Sequence, residues 1–269
     1  MGIAKALTIA GSDSGGGAGI QADLKTFQEL DVFGLSAITA VTAQNTLGVQ
    51  GVYPLSAEAV VEQMKSVASD LNPQAVKTGM LFSVELIEAV AKVIKEENWK
   101  TVVDPVMIAK GGAALLQEEA VETLRTTLIP LAYCITPNIP EAEEIVGFRI
   151  SSYDDRKKAA ESIFQLGAEN VVIKGGHGDD EEVSDLLYDG KQYHWFTSKR
   201  HYTKHTHGTG CTYSAAITAE LAKGNTIFEA VETAKLFIQA AIGDSLELGS
   251  GHGPTNHWAY QKRKQSVKS

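Results

Sequence analysis

Ala6-Leu-Thr-Ile-Ala10, Gly11-Ser-Asp-Ser-Gly-Gly-Gly-Ala-Gly19 and Ile20-Gln-Ala-Asp-Leu-Lys-Thr-Phe-Gln-Glu-Leu30 stand end to end near the start of the chain. The first segment is a short, near-continuous apolar run, the pattern of a strand buried on both faces. The second has five glycines in nine residues, so its backbone can turn sharply and approach a ligand closely. The third carries apolar residues at helical spacing. Strand, glycine loop and helix in that order form the opening half of a βαβ unit, and the rest of the chain repeats the alternation.

Further strands are predicted at 35–43, 75–78, 101–104, 133–136 and 170–174. Helical patterns fall between them at 57–70, 84–97, 118–127 and 156–166. Such alternation predicts an α/β fold with a mainly parallel sheet and helices on both faces. Residues 182–188 and 192–197 flank Asp189-Gly190-Lys191. Asp-Gly between two β-rich runs is a hairpin signal, which predicts an antiparallel edge. Helices at 211–223 and 227–246 follow. The chain shows no repeat, low-complexity tract or linker, which predicts one domain over 1–269 with a flexible tail from about 259.

Composition excludes several function classes. The chain has 269 residues, ample for a full core, with a formal net charge of −9 and no basic cluster, which argues against nucleic acid as a partner. Its two cysteines, Cys134 and Cys211, are too few for a disulfide framework and have no metal-ligand spacing. A reducing cytoplasm is expected. The N-terminal segment turns glycine-rich too soon for a secretion signal. No apolar run approaches the roughly 20 residues that span a bilayer, so no membrane role is expected.

In open α/β sheets ligands sit at the carboxyl ends of the strands. Polar and glycine residues gather at those ends: Gly11–Gly19, Gln44-Asn45-Thr46, Gly79-Met80, Asp104-Pro105, Thr136-Pro137-Asn138 and Lys174-Gly175-Gly176-His177. Gly17-Ala-Gly-Ile-Gln-Ala22 also fits the dinucleotide fingerprint, but Gln44 stands where that fingerprint wants an acidic residue. A P-loop is excluded, since no Gly-Lys precedes Ser or Thr.

His207-Gly-Thr-Gly-Cys-Thr212 precedes a helical pattern and would aim several backbone N–H groups at one point, a site for an anion. The same helix end is expected to lower the thiol pKa of Cys211. The alternative is a plain helix start with a small buried cysteine. Asp104, Asn138 and Glu141 supply oxygen ligands suited to Mg²⁺. Asp104 could equally fix a turn, and Glu141 complement a helix dipole. Lys174 could touch a phosphate as a point charge or snorkel from a strand end. His177 and His207 are taken as loop histidines.

With these motifs in place the chain resembles the hydroxymethylpyrimidine/phosphomethylpyrimidine kinases of thiamine biosynthesis, in the ribokinase-like superfamily close to pyridoxal kinases. The landmarks are residues 10–25, Val41-Thr-Ala-Gln-Asn-Thr46, Lys77-Thr-Gly-Met80, Val103-Asp-Pro-Val-Met107, Thr136-Pro-Asn138 and His207–Thr212. The resemblance implies a three-layer α/β/α fold and transfer of the ATP γ-phosphoryl, with Mg²⁺, to a hydroxymethyl group. It implies Cys211 as the base, amides of Gly208 to Cys211, Gly210 included, as the anion hole, and Lys174 at the ATP phosphates with Asn138 and Thr209. Asp104 and Glu141 would hold the metal. Gly11, Asp23, Gln44, Met80 and Met107 would form the pyrimidine pocket. A homodimer is also implied.

Gln44 separates two activities. A primary amide can meet an amine donor and a ring-nitrogen acceptor together, as Gln meets adenine. That match favours an aminopyrimidine over vitamin B6, whose ring offers a hydroxyl instead. The expected activity is phosphorylation of hydroxymethylpyrimidine and then of its monophosphate; the alternative is a pyridoxal/pyridoxine kinase. A silent ligand sensor is the non-enzymatic alternative, against which the full set of Cys211, Lys174, Asp104 and Glu141 argues. His205-Thr206 departs from the family pattern before His207, and Lys110-Gly111-Gly112 is expected to form a flap.

Overall fold

The computed structural model describes residues 2–107, 118–176 and 181–268. Strand β1 (Lys5–Ala10) leads through the glycine loop to α1 (Gly19–Glu29) and β2 (Phe33–Ile38). β3 (Ala40–Asn45) and β4 (Gly48–Pro54) follow, then α2 (Ala57–Asp70), β5 (Ala75–Thr78), α3 (Val84–Glu97) and β6 (Thr101–Val103). After α4 (Glu118–Thr123) come β7 (Ala132–Ile135), α5 (Ile139–Val146), α6 (Tyr153–Gln165) and β8 (Val171–Ile173). β9 (Glu182–Tyr188), β10 (Tyr193–Lys199), α7 (Thr209–Ala222), α8 (Ile227–Gly243) and α9 (Ala259–Lys268) complete the chain.

Eight strands form one sheet in the order β10-β9-β8-β7-β6-β5-β1-β2. β2, β1, β5, β6, β7 and β8 run parallel, while β9 and β10 are antiparallel additions at one edge. The Asp189 carboxylate accepts the N–H groups of Lys191 and Gln192 at 2.9 and 2.7 Å and shapes the turn between them. The period of two splits the strand side chains between two cores. Leu7, Ile9, Val76, Val103, Ile135 and Leu186 face a layer containing α2, α3, α5 and α6. Ala6, Ala75, Val102, Cys134, Val172 and Leu187 face α1, α7 and α8. α7 is buried on nearly every side from Thr212 to Ala222, and its run of Ala, Ser and Thr lets it lie against the sheet, α1 and α8 at once.

Three expectations needed correction. The strand predicted at 35–43 divides at Thr39: β2 stays in the sheet, and β3 leaves to pair antiparallel with the unpredicted β4 as a separate ribbon. No breaker residue marks this exit; the Thr39 N–H donates to Ala10 and the Ser12 N–H to Ala40, so the glycine loop carries the crossing. The helix predicted at 118–127 ends regularly at Thr123 and widens into a π-turn over Leu124–Leu128. A 3-10 turn, Ile129–Leu131, follows, and its Pro130 has no N–H to continue a helix. The last long helix stops at Gly243 rather than 246. The C-terminal residues form α9, where Tyr260 packs on Phe237 and Arg263 pairs with Asp244 at 2.8 Å. Among the described residues, no helix is long and apolar enough to cross a membrane.

Candidate active site

The carboxyl ends of β1, β5, β6, β7 and β8 open on the same edge, and the N-terminus of α7 lies against it. Two glycines make the junction possible. Gly208 has φ +81° and a Cβ there would overlap the Gly17 carbonyl oxygen; Gly19 has φ +54° and would overlap that of Gly11. The glycine loop and the start of α7 therefore touch backbone to backbone.

Asp13 organises that contact. Its carboxylate accepts the N–H groups of Gly15, Gly17 and Ala18 at 2.8, 3.0 and 2.8 Å and contacts His207 Nε2 at 2.8 Å. Burial alone would raise the Asp13 carboxyl, but the His207 contact and the backbone donors outweigh it and hold it below the ordinary range. His207 Nε2 also lies 3.3 Å from Gln44 Nε2. Gln44 reaches this position on the β3–β4 ribbon, at a register shift after Ala43. The Gln44 N–H donates to Ser14 Oγ at 2.8 Å, and that hydroxyl donates to the Gln44 carbonyl at 2.7 Å, fastening ribbon to loop. A Cβ on Gly11 would collide with Met80 Cε, so those two residues share one wall. Met107 is buried at the β6 end of the edge.

On the other side, Lys174 Nζ lies 3.2 Å from Asp104 Oδ1, and Ser214 Oγ of α7 donates to Asp104 Oδ2 at 3.1 Å. A Cβ built on Gly210 would sit 3.4 Å from Lys174 Nζ and 3.9 Å from Asp104 Oδ2, so the first turn of α7 lies directly beside this pair. Burial raises the Asp104 carboxyl; Lys174, Lys77 and the Ser214 hydroxyl overcome that and hold it low. Lys174 is pushed down by burial and up, by more, by Asp104 and Glu141. Asn138 and Glu141 form a capping box on α5: Asn138 Oδ1 accepts the Glu141 N–H at 2.9 Å, and Glu141 Oε2 accepts the Asn138 N–H at 2.8 Å. Burial, with the nearby charge of Asp104, pushes the Glu141 carboxyl up to about 7. The Thr209 hydroxyl is engaged locally, donating to the Thr206 carbonyl at 2.7 Å.

Cys211 departs from expectation. The helix end was expected to activate it, and the Gly19 N–H and Lys77 do favour the thiolate. Cys211 keeps a partly open surface, yet dense protein surrounds its sulfur, and burial, with Asp23 and Asp104, pushes the thiol up to about 12. At neutral pH it is a thiol. Asp23 offers no open face: it is fully buried, 3.0 Å from Lys77 Nζ, and accepts the Thr8 hydroxyl at 2.6 Å. Its charge is felt in the site by Cys211 and by Asp104. His177 and Lys110-Gly111-Gly112 lie outside the described residues. The sequence pattern passed over the roles of Asp13 and His207, although an Asp placed just before a glycine run is a known loop-capping signal.

Two arrays thus meet across the N-terminus of α7: a polar wall of Gly11, Gln44 and Met80, and a charged wall of Lys174, Asp104 and Glu141. An anion nest between them suits phosphoryl chemistry on a small molecule, and comparison with known proteins puts the chain among the small-molecule kinases. A solved pyridoxal kinase of Bacillus subtilis in an ADP complex matches with TM-score 0.90 and 46% identity, over 97% of this chain and 99% of that one. A Staphylococcus aureus pyridoxal kinase in complex with AMP-PCP and pyridoxal matches with TM-score 0.89 and 40% identity, over 97% and 96%. The fold is the three-layer ribokinase-like one expected. The family model described as phosphomethylpyrimidine kinase matches residues 13–256, and the chain belongs to that family. A hydroxymethylpyrimidine/phosphomethylpyrimidine kinase of Bacillus subtilis is 60% identical over 264 residues, 97% of each chain.

Proposed function

We propose that this protein transfers the γ-phosphoryl of ATP to hydroxymethylpyrimidine and then a second phosphoryl to the resulting monophosphate, within thiamine biosynthesis. The observation that carries this is the 60% identity, end to end, with a relative whose name states both activities. In the first step the hydroxymethyl oxygen bonds to the γ-phosphorus, the bond to the ADP oxygen breaks, and the hydroxyl proton passes to a phosphoryl oxygen. In the second an already ionised phosphate oxygen of the monophosphate attacks and the ADP oxygen leaves in the same way, with no proton to remove.

Each wall then has a task. Gly11, Gln44, Met80 and Met107 hold the pyrimidine, with the Gln44 amide meeting the amino group and its neighbouring ring nitrogen. Asp23 supports this side from behind. The amides of Gly208, Gly210 and Cys211 receive charge that develops on the phosphoryl oxygens. Lys174, with Asn138 and Thr209, engages the ATP phosphates. Phosphoryl transfer has a loose transition state, in which positioning outweighs base strength. A Cys211 thiol fits that demand by orienting the hydroxyl, whose proton leaves late.

Asp104 and Glu141 fit a magnesium ion. Both present hard oxygen donors, and the Glu141 carboxyl, raised by burial and by Asp104, is the kind of group a divalent cation would ionise. When bound there, the ion supplies neutralisation of phosphate charge. A homodimer and a cytoplasmic setting belong to the same proposal. Exposed Val41, Leu47 and Tyr53 on the β3–β4 ribbon and two free cysteines support them.

One second activity has an observation in its favour: the solved structures named above are pyridoxal kinases. Product mass after incubation with ATP and Mg²⁺, on hydroxymethylpyrimidine and pyridoxal in parallel, tests both. Two phosphates on the pyrimidine is the expected result. One phosphate removes the second step, and phosphate on pyridoxal alone replaces this function with vitamin B6 salvage.

A further inference from the structure

β8 and β9 pair antiparallel as far as Ile173 opposite Leu186. Continued by one residue, the ladder would set Lys174 against Asp185. The chain does something else. The Lys174 N–H donates to the Pro137 carbonyl at 2.8 Å, and Lys174 bridges to Asn138, so the strand swings from β9 toward β7 at this residue. The next N–H, that of Gly175, would be left half-buried without its ladder partner. Asp185 takes it. Its Oδ1 accepts the Gly175 N–H at 2.7 Å, and its Oδ2 accepts from Lys235 Nζ of α8 at 2.8 Å. Lys235 also donates to the Val183 carbonyl at 3.0 Å. A Cβ at Gly175 would overlap the Ser184 carbonyl oxygen, so the backbones are in close contact here.

The same carboxylate reaches α7. Burial first, and then the charge of Asp185, push the Tyr213 hydroxyl well above the ordinary phenol range. That hydroxyl is buried two residues beyond Cys211 and lacks the geometry of a completed hydrogen bond. Asp185 therefore stands between the strand end that presents Lys174 and the helix that presents the amide nest. A buried ion pair adds little stability over an apolar pair of the same shape, and an apolar pair could hold α8 to the sheet equally well. It could not accept the Gly175 N–H.

We infer that Asp185 is a positioning residue for phosphoryl transfer, replacing main-chain pairing where β8 leaves β9 and thereby placing Lys174 opposite the Gly208–Cys211 nest. This rests on the proposed contact between Lys174 and the ATP phosphates. Asp185 touches neither substrate; it acts through Lys174.

The test uses two neutral double variants of the full chain. Asp185→Leu with Lys235→Met removes the acceptor and both charges, whereas Asp185→Asn with Lys235→Met keeps an acceptor for Gly175. The apolar double variant is expected to weaken Mg-ATP binding by calorimetry, and raise the KM for ATP, by about tenfold, with the KM for hydroxymethylpyrimidine within about twofold. The asparagine variant is expected to recover ATP affinity. Unchanged ATP affinity in the apolar variant, or no recovery with asparagine, overturns the inference. If the apolar variant does not fold, amide exchange in the unaltered protein decides: Gly175 N–H should exchange as slowly as the β8 core, and fast exchange overturns the inference. An unaltered protein that binds no Mg-ATP would instead sink the proposed role of Lys174 itself.

Discussion

Two lysine–aspartate pairs lie behind the candidate site, and they are satisfied differently. Lys77 and Asp23 join β5 to α1 at 3.0 Å, behind the polar wall. Lys235 and Asp185 join α8 to β9 at 2.8 Å, behind the charged wall. Asp185 divides its work, one oxygen for the ammonium and one for a backbone N–H. Asp23 loads a single oxygen with both Lys77 and Thr8 and leaves Oδ1 buried without a partner. The cost shows in its ionisation: burial pushes the Asp23 carboxyl up against the pull of Lys77 and Thr8, and Asp104 adds like charge. Burial sets what a buried charge costs, and the count of donors per oxygen sets how much of that is offset.

The largest expected effect tests that claim directly. Lys77→Met strands the Asp23 charge and should cost about 3–5 kcal/mol in urea unfolding at neutral pH, most of it recovered when Asp23→Leu is added. A cost below about 1 kcal/mol would end the contrast between the pairs.

His257 sharpens it from the acid side. It is buried on Thr212, whose Oγ1 lies 3.0 Å from its Nε2, and burial, helped by Lys25, pushes it down from 6.5 to about 4. Between those values the unfolded chain takes up a proton that the folded protein refuses. Stability should therefore fall as pH drops through that window, by about 3 kcal/mol in all, and level off below it. Thermal midpoints across this range should lose that component of the slope in His257→Gln.

Lys235→Met comes next, at about 2 kcal/mol in the same urea assay, because the Gly175 N–H still serves the stranded carboxylate. If it equals Lys77→Met, the backbone donor contributes nothing. The smallest effect belongs to the open wall. Gln44→Met should lower kcat/KM for hydroxymethylpyrimidine by about tenfold, or about 1.4 kcal/mol, without changing the urea midpoint. Unchanged turnover would remove the reason for favouring a pyrimidine.

Most of the fold was legible because its strands are short apolar runs bounded by glycine and polar residues, a local pattern. The β3–β4 ribbon was not. Its first strand continues β2 with no breaker, and Gly48-Val-Gln-Gly-Val-Tyr-Pro54 has too much glycine to look like a strand. In the site, Lys174 and Asp104 were legible as polar strand ends. The Asp13–His207–Gln44 contact was not, since it joins residues up to 194 positions apart. Cys211 shows the same limit in energetic form. Its helix N-terminus is local and favours the thiolate; the burial that overrides it comes from β5, α1 and β6, which no window around residue 211 contains.

The buried position of α7 also fixes an order of events during synthesis. Ala6, Phe27, Ala75 and Val102 lie in the first two-fifths of the chain, yet the helix that covers them begins at Thr209. A nascent chain has only α1 on this face of its sheet until α7 and α8 have left the ribosome, and for that interval the part over β5 and β6 is open to aggregation or to a chaperone that binds apolar surface.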